Sequence, residues 1–259
     1  MDFNLKTYQQ LLNALVQAGY DFQVFSDFIA TEKAKTVTLR FDSEKNLRNT
    51  LYIAEILHEF NIRGTFYIRI LKELNLKGII EKLKSLNHEI GYHYDDLTES
   101  GGNFSKAIDR FKSNLSLLRT NAPVKTIVAE GAPLSKYDNR SLWQTYDYHD
   151  YGITGEPYFD VDFSKVLYLT DTGRRWDGYK VSVRDKIPEH QERWEREGLV
   201  FHSTKDIIKA IQQDRLPDRI MFTFHPQRWH SSFIPWLKEL ILQRAKNVVK
   251  RILVLVKNE

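Results

Sequence analysis

Apolar residues at Tyr8, Leu11, Leu12, Leu15 and Val16 recur at the three- and four-residue intervals of a helix that buries one face. The period then changes. Residues 36–41 form a short β-branched run that predicts a strand, and residues 45–60 return to helical spacing through Leu47, Leu51, Ala54 and Leu57. The alternation continues with a strand over 64–68, a helix over 76–86, a strand over 89–93 and a helix over 103–119. Residues 126–129, 166–169 and 220–224 predict three more strands, with a helix over 206–213 before the last. Repeated β-α units imply an α/β fold with a parallel sheet or barrel, whose site lies on the loops that follow the strand C-termini.

Residues 133–188 break this rhythm, being rich in Tyr, Asp, Gly and Arg with little helical period. Long irregular segments inside compact domains are usually functional loops. Near the C-terminus Leu237, Ile241, Ala245, Val248 and Ile252 form an apolar stripe in a basic helix. That pattern predicts a terminal helix packed on the domain, and leaves open a peripheral contact with an anionic membrane.

With 259 residues and 42% hydrophobic side chains, the chain can bury one large core, so a single domain is expected. It has no Cys, which removes disulfides, thiolate metal sites and cysteine nucleophiles and leaves His, Asp and Glu to hold any metal. The net charge of +4 arises from 38 basic and 34 acidic residues with no polybasic arm, so no nucleic-acid partner is expected. The opening residues do not read as a secretion signal, and no run approaches the roughly 18 apolar residues of a transmembrane segment. A cytoplasmic protein is expected.

Three places carry candidate chemistry. Asp42 and Glu44 sit just past the 36–41 strand, two residues apart, so strand geometry points both carboxylates to one side. One could bind a metal while the other takes a proton, and the same residues would also suit the N-terminal cap of the next helix. His93 ends the 89–93 strand beside Asp95 and Asp96, a donor set suited to zinc, iron, cobalt or manganese. His88, five residues earlier, falls on the opposite strand face. His225 follows the 220–224 strand, where an imidazole could act as a general acid or serve structure alone.

Taken in order, these fragments resemble the polysaccharide deacetylase superfamily, the NodB-homology or carbohydrate esterase 4 group. The likeness lies in Arg40-Phe41-Asp42-Ser43-Glu44, in residues 60–67, in His88 to His93, and in Thr223-Phe224-His225-Pro226. Residues 131–140, 171–178 and 225–229 resemble the WbmS-like subgroup of surface-polysaccharide gene clusters. The resemblance implies a distorted (β/α) barrel of about seven strands over residues 36–230, preceded by a helical segment over 1–35 and followed by an amphipathic helix over 231–259. It also implies metal-dependent hydrolysis of an N-acetyl group on an amino sugar, with zinc first among divalent metals and iron, cobalt, nickel or manganese as alternatives.

Carried over by position, Asp42 would be the general base, Glu44 and His93 metal ligands, and His225 the general acid. Leu97 stands where the family usually has a second histidine ligand, so Glu130, at the end of the 126–129 strand, is the candidate third ligand, with Asp96 next. Arg174, Arg175 and Trp176 resemble a loop for an anionic sugar, nucleotide sugar or glycan, with surface pairing to Asp171 and Asp177 as the alternative. Tyr137, Asp138, Arg140, Arg228 and Trp229 would line the same cleft or clamp loops. The departures at Phe41, Leu97 and Glu130 also fit a catalytically silent glycan-binding barrel with a degenerate metal site. A metal-activated water could also attack a formyl group, a cyclic amide or a glycosidic bond.

Overall fold

The computed structural model describes residues 1–44, 47–71 and 76–257, apart from the side chains of 180 and 252–257. Its N-terminal part contains α1 (Leu5–Gln17), β1 (Asp21–Gln23), α2 (Phe25–Ala30), β2 (Thr36–Ser43), α3 (Leu47–Glu59) and β3 (Thr65–Ile68). Then come α4 (Leu76–Ser85), β4 (Glu89–Tyr94), α5 (Asp96–Glu99), α6 (Phe104–Arg119) and β5 (Ile127–Ala129). The chain ends with α7 (Pro157–Asp160), β6 (Leu167–Thr170), α8 (Pro188–Arg196), α9 (Thr204–Gln212), β7 (Arg219–Phe224) and α10 (Phe233–Lys257).

The strands pair in parallel in the order β5-β4-β3-β2-β7-β6 and curl into a half-barrel wrapped by helices, a distorted (β/α) barrel in one domain. β1 also joins this sheet. It shares an edge of β2 with β3, pairing with Thr36 to Thr38 while β3 pairs with Arg40 to Ser43. β2 is buried along its whole length, and its alternation decides the two faces. Phe41 turns outward to stack on Phe66 and Phe224, with ring centroids 4.5 and 5.4 Å away, while Arg40 and Asp42 turn towards the barrel mouth.

The sheet is open between β5 and β6, and the irregular segment fills that side. Gly155 forms a parallel bridge to Thr126, and Arg184 donates to the carbonyls of Gly131, Ala132 and Ser135 at 2.6 to 2.8 Å, tying the loops after β5 and β6 together.

Several expectations are corrected here. The strand that carries Asp42 runs on to Ser43, so Asp42 lies within it; the stretch over 1–35 contributes β1 and α2 as well as α1. β1 has three residues and α2 six, too few for a periodic signal, and α8 buries little beyond Trp194. Val16 is exposed although the rest of the α1 stripe is buried. The expected N-terminal boundary at 45 lies outside the described residues. In α10 the expected packing is inverted: Leu237, Ile241 and Val248 face outward and Gln243 is buried, while Ile252 lies outside the described side chains.

Candidate functional site

The C-terminal ends of the strands converge on a cleft of about 550 Å³ lined by Arg40, Asp42, Glu44, His93, Glu130 and His225. Period-two alternation along β2 puts Arg40 and Asp42 on one side, and Glu44, just past the end of the strand, lines the same cleft. Arg40 clasps Asp42 in a two-pronged ion pair, Nε to Oδ1 at 2.8 Å and Nη2 to Oδ2 at 2.7 Å, with both residues buried. Such a fork fixes the carboxylate plane as well as its charge.

Glu44, His93 and Glu130 each place one ligand atom so that the three lie within 4.8 Å of one another. His93 Nδ1 donates to Val128 O at 3.1 Å, because a carbonyl can only accept, so Nε2 of the neutral ring is a bare lone pair. That Nε2 lies 3.2 Å from Glu130 Oε2 and 4.0 Å from Glu44 Oε1. Neither Nε2 nor Glu130 Oε2 has a hydrogen-bond partner, although both atoms are buried. Lone pairs of one imidazole and two carboxylates pointing at one another are repulsive unless a proton or a cation lies between them.

The electrostatics follow from that crowding. Burial opposes a charge on His93, but Asp42, Glu130 and Glu44 outweigh it and lift its pKa to about 9. Burial and the Glu130 charge push Glu44 up. Glu130 also resists burial, yet His93 and Arg69 hold it below the usual carboxylate range. A backbone carbonyl orienting the ring, and borderline-to-hard donors with unsatisfied atoms, fit a divalent cation.

Across the cleft, His225 follows β7 and Asp171 follows β6. Asp171 is fully buried, and its carboxylate accepts from His225 Nδ1 (2.7 Å), the His225 backbone N (3.0 Å), Arg228 Nη1 (2.6 Å) and Trp229 Nε1 (2.7 Å). Burial pushes Asp171 up, but Arg228 and His225 prevail and hold it below the carboxylate range. With Nδ1 committed to Asp171, Nε2 is the ring nitrogen left to exchange a proton.

Of the expected sugar contacts, Arg140 and Arg228 line the cleft, Arg140 being held by Asp138 at 2.7 Å. Tyr137 does not line it; its ring lies against Gly102, whose φ of +81° and absent Cβ allow the close approach. Arg174, Arg175 and Trp176 also lie outside the cleft, correcting the reading of a sugar-binding loop. Arg174 donates to Trp236 O at 2.9 Å, and Arg175 forks onto Asp177 at 2.7 Å. Trp176 is buried against Phe222 and Phe224, with Nε1 donating to Thr204 Oγ1. An indole with a satisfied N–H inside an aromatic core has no face to offer a sugar. Asp171 pairs with Arg228 and not with the arginines beside it in sequence.

Asp96 is bound to Tyr92 Oη and Asn114 Nδ2 away from the cleft, and Leu97 is buried in the core. His88 bridges Gly64 N and Ala54 O, apart from His93 as strand parity implied. Some residues that line the cleft, and Asp171 buried behind His225, escaped the sequence reading. Arg40 was legible as the i−2 neighbour of Asp42 on one strand face, and Asp171 as a carboxylate ending a strand. Asp185, held by Tyr158, Tyr168, Thr170 and Thr172, and Lys250 of α10 gave no local signal.

No family model and no curated protein matches the sequence. Among solved structures the chain is similar to a family 4 carbohydrate esterase from Bacillus anthracis, with 15% identity and a TM-score of 0.43 over 92% of this chain and 85% of that one. It is also similar to the catalytic domain of a peptidoglycan N-acetylglucosamine deacetylase from Eubacterium rectale, at 14% identity and a TM-score of 0.47 over 83% and 86%. A family 4 pseudoenzyme from Bacillus anthracis aligns at 12% identity and a TM-score of 0.46 over 85% and 63%. The WbmS-like subgroup rests on the sequence strings alone.

Proposed function

We propose that the chain is a metal-dependent hydrolase that removes an N-acetyl or related N-acyl group from an amino sugar, in the cytoplasmic synthesis of a surface polysaccharide. The observation that carries this reading is the convergence of His93 Nε2 with the Glu44 and Glu130 carboxylates, all within 4.8 Å of one another, an arrangement that one divalent cation would satisfy. Glu44, His93 and Glu130 would hold a divalent ion, which supplies Lewis-acid polarisation of the amide carbonyl. Asp42, held in one orientation by Arg40, accepts the proton of the attacking water. His225, steadied by Asp171, gives a proton through Nε2 to the departing amine nitrogen. Arg140 offers the cleft a guanidinium for an anionic sugar substituent.

Acetate release from N-acetylated sugars and nucleotide sugars tests this assignment. Asp42→Asn is expected to lower release by about a hundredfold or more, and unchanged release would remove Asp42 from the role of base.

One observation favours a second reading. Arg40 engages both oxygens of Asp42, which commits the carboxylate to an ion pair and suits a glycan-binding barrel without turnover. Such a protein would bind metal and sugar yet release no acyl group.

A further inference from the structure

Helix α10 is amphipathic in the reverse sense of a packed helix. Its inward side is polar: Gln243 is buried and donates to Asn247 Oδ1 at 2.8 Å, Asn247 donates to Gly173 O at 2.9 Å, and Lys250 reaches the cleft. Its outward side is apolar, with Phe233, Ile234, Leu237, Ile241, Val248 and Val249 all exposed, Ile241 by 60% and Val248 by 61%. At about 100° per residue, Ile241 and Val248 mark the centre of this face, Lys238 and Arg244 flank it by about 60°, and Arg251 by about 80°. An apolar arc of this size on a surface helix marks an interaction site.

The charge distribution selects the occupant. Residues 1–230 contain 32 basic and 32 acidic side chains, whereas residues 231–259 contain 6 basic and 2 acidic ones, so the whole +4 lies in the C-terminal stretch of sequence that includes α10. A second copy would bring like charges together along the same face. An anionic bilayer offers a hydrocarbon boundary for the arc and phosphates for its flanks. No helix among the described residues is long and apolar enough to cross a membrane, which leaves docking in the plane of the surface.

We infer that α10 docks the protein on an anionic membrane, with Ile241 and Val248 at the acyl boundary and Lys238, Arg244 and Arg251 at the phosphates. Lys238, Lys246 and Lys250 also line the cleft, so docking sets the cleft mouth beside the lipid headgroups. This inference is independent of the hydrolase reading, since it rests on the outward face of the helix.

Co-sedimentation with phosphatidylcholine vesicles, with and without phosphatidylglycerol, tests it. The intact chain is expected to pellet with the anionic vesicles about tenfold or more in preference to neutral ones, and to be released by salt. The double variant Ile241→Glu and Val248→Glu is expected to lose that binding, and Arg244→Gln with Arg251→Gln to lose most of the preference for phosphatidylglycerol. The substituted side chains are exposed, so an unchanged melting temperature serves as the folding control. Equal sedimentation of the intact chain and the glutamate variant would overturn the inference. So would a lipid-free dimer, seen by light scattering, that the glutamate variant splits while neither protein binds vesicles.

Discussion

Asp171→Asn probes the half of the site that faces the metal-ligand cluster. The carboxylate accepts four hydrogen bonds, two on each oxygen, from His225 Nδ1, Arg228 Nη1, the His225 backbone N and Trp229 Nε1. An amide has one acceptor oxygen, so whichever way it is turned its NH₂ group meets two of those donors. Two buried donors then lose their acceptor, at about 1 to 3 kcal/mol each. Arg228 loses its counter-charge, and breaking a buried ion pair costs about 3 to 5 kcal/mol by itself. The terms overlap when the amide NH₂ faces Arg228, the oxygen otherwise staying with Arg228 while the His225 backbone N–H and the Trp229 indole are stranded, so the expected loss is at least about 3 to 5 kcal/mol, read from urea unfolding of the two proteins. Acetate release should fall as well, because His225 is no longer held in one tautomer and position. A loss below about 1 kcal/mol would refute the reasoning, since it would mean that water or a shifted side chain replaces the carboxylate.

Trp176→Ala is expected to cost about 3 to 5 kcal/mol of stability while leaving sugar affinity of the folded fraction unchanged; a selective loss of affinity would return the indole to the cleft. Arg40→Met strands the buried Asp42 carboxylate at about 3 to 5 kcal/mol, and adding Asp42→Asn should recover much of it; additive losses in the double variant would show that the pair is not coupled. His88 supplies a pH test. Burial lowers its folded pKa to about 4, against an ordinary value of about 6.5, so the unfolded chain binds the proton first as pH falls. Its contribution is complete above about pH 6.5 and declines towards pH 4 by about 3 kcal/mol. The stability difference between the wild type and His88→Gln should shrink by that amount over the window, and a difference independent of pH would contradict it.

The barrel strands were readable because each is a short apolar run ending in a polar side chain, and the same ends carry the chemistry. Asp42 and Glu44 shared a face by parity alone, and His93 and His88 were separated by the same rule. Neighbours brought together by folding were less legible. Arg228 lies 57 residues from Asp171, yet it takes the partnership that Arg174 and Arg175 seemed placed to make. Trp176 reads as a sugar platform by composition, but its aromatic neighbours come from β7 and the loop after it. The terminal helix gave the right stripe and the wrong side, because periodicity marks an apolar face without saying what it meets; here α10 caps a polar cleft, so Gln243 and Asn247 turn inward.

The account stands on the Glu44, His93 and Glu130 cluster being a cation site. The most direct test is equilibrium dialysis of the chelator-stripped protein against zinc, cobalt or manganese, with metal counted by plasma mass spectrometry in the wild type, His93→Ala and Glu130→Ala. The account predicts about one equivalent per chain in the wild type and a loss of about tenfold or more in affinity in each variant. A wild type that binds none of these ions while remaining folded, or variants that bind as well as the wild type, would contradict it.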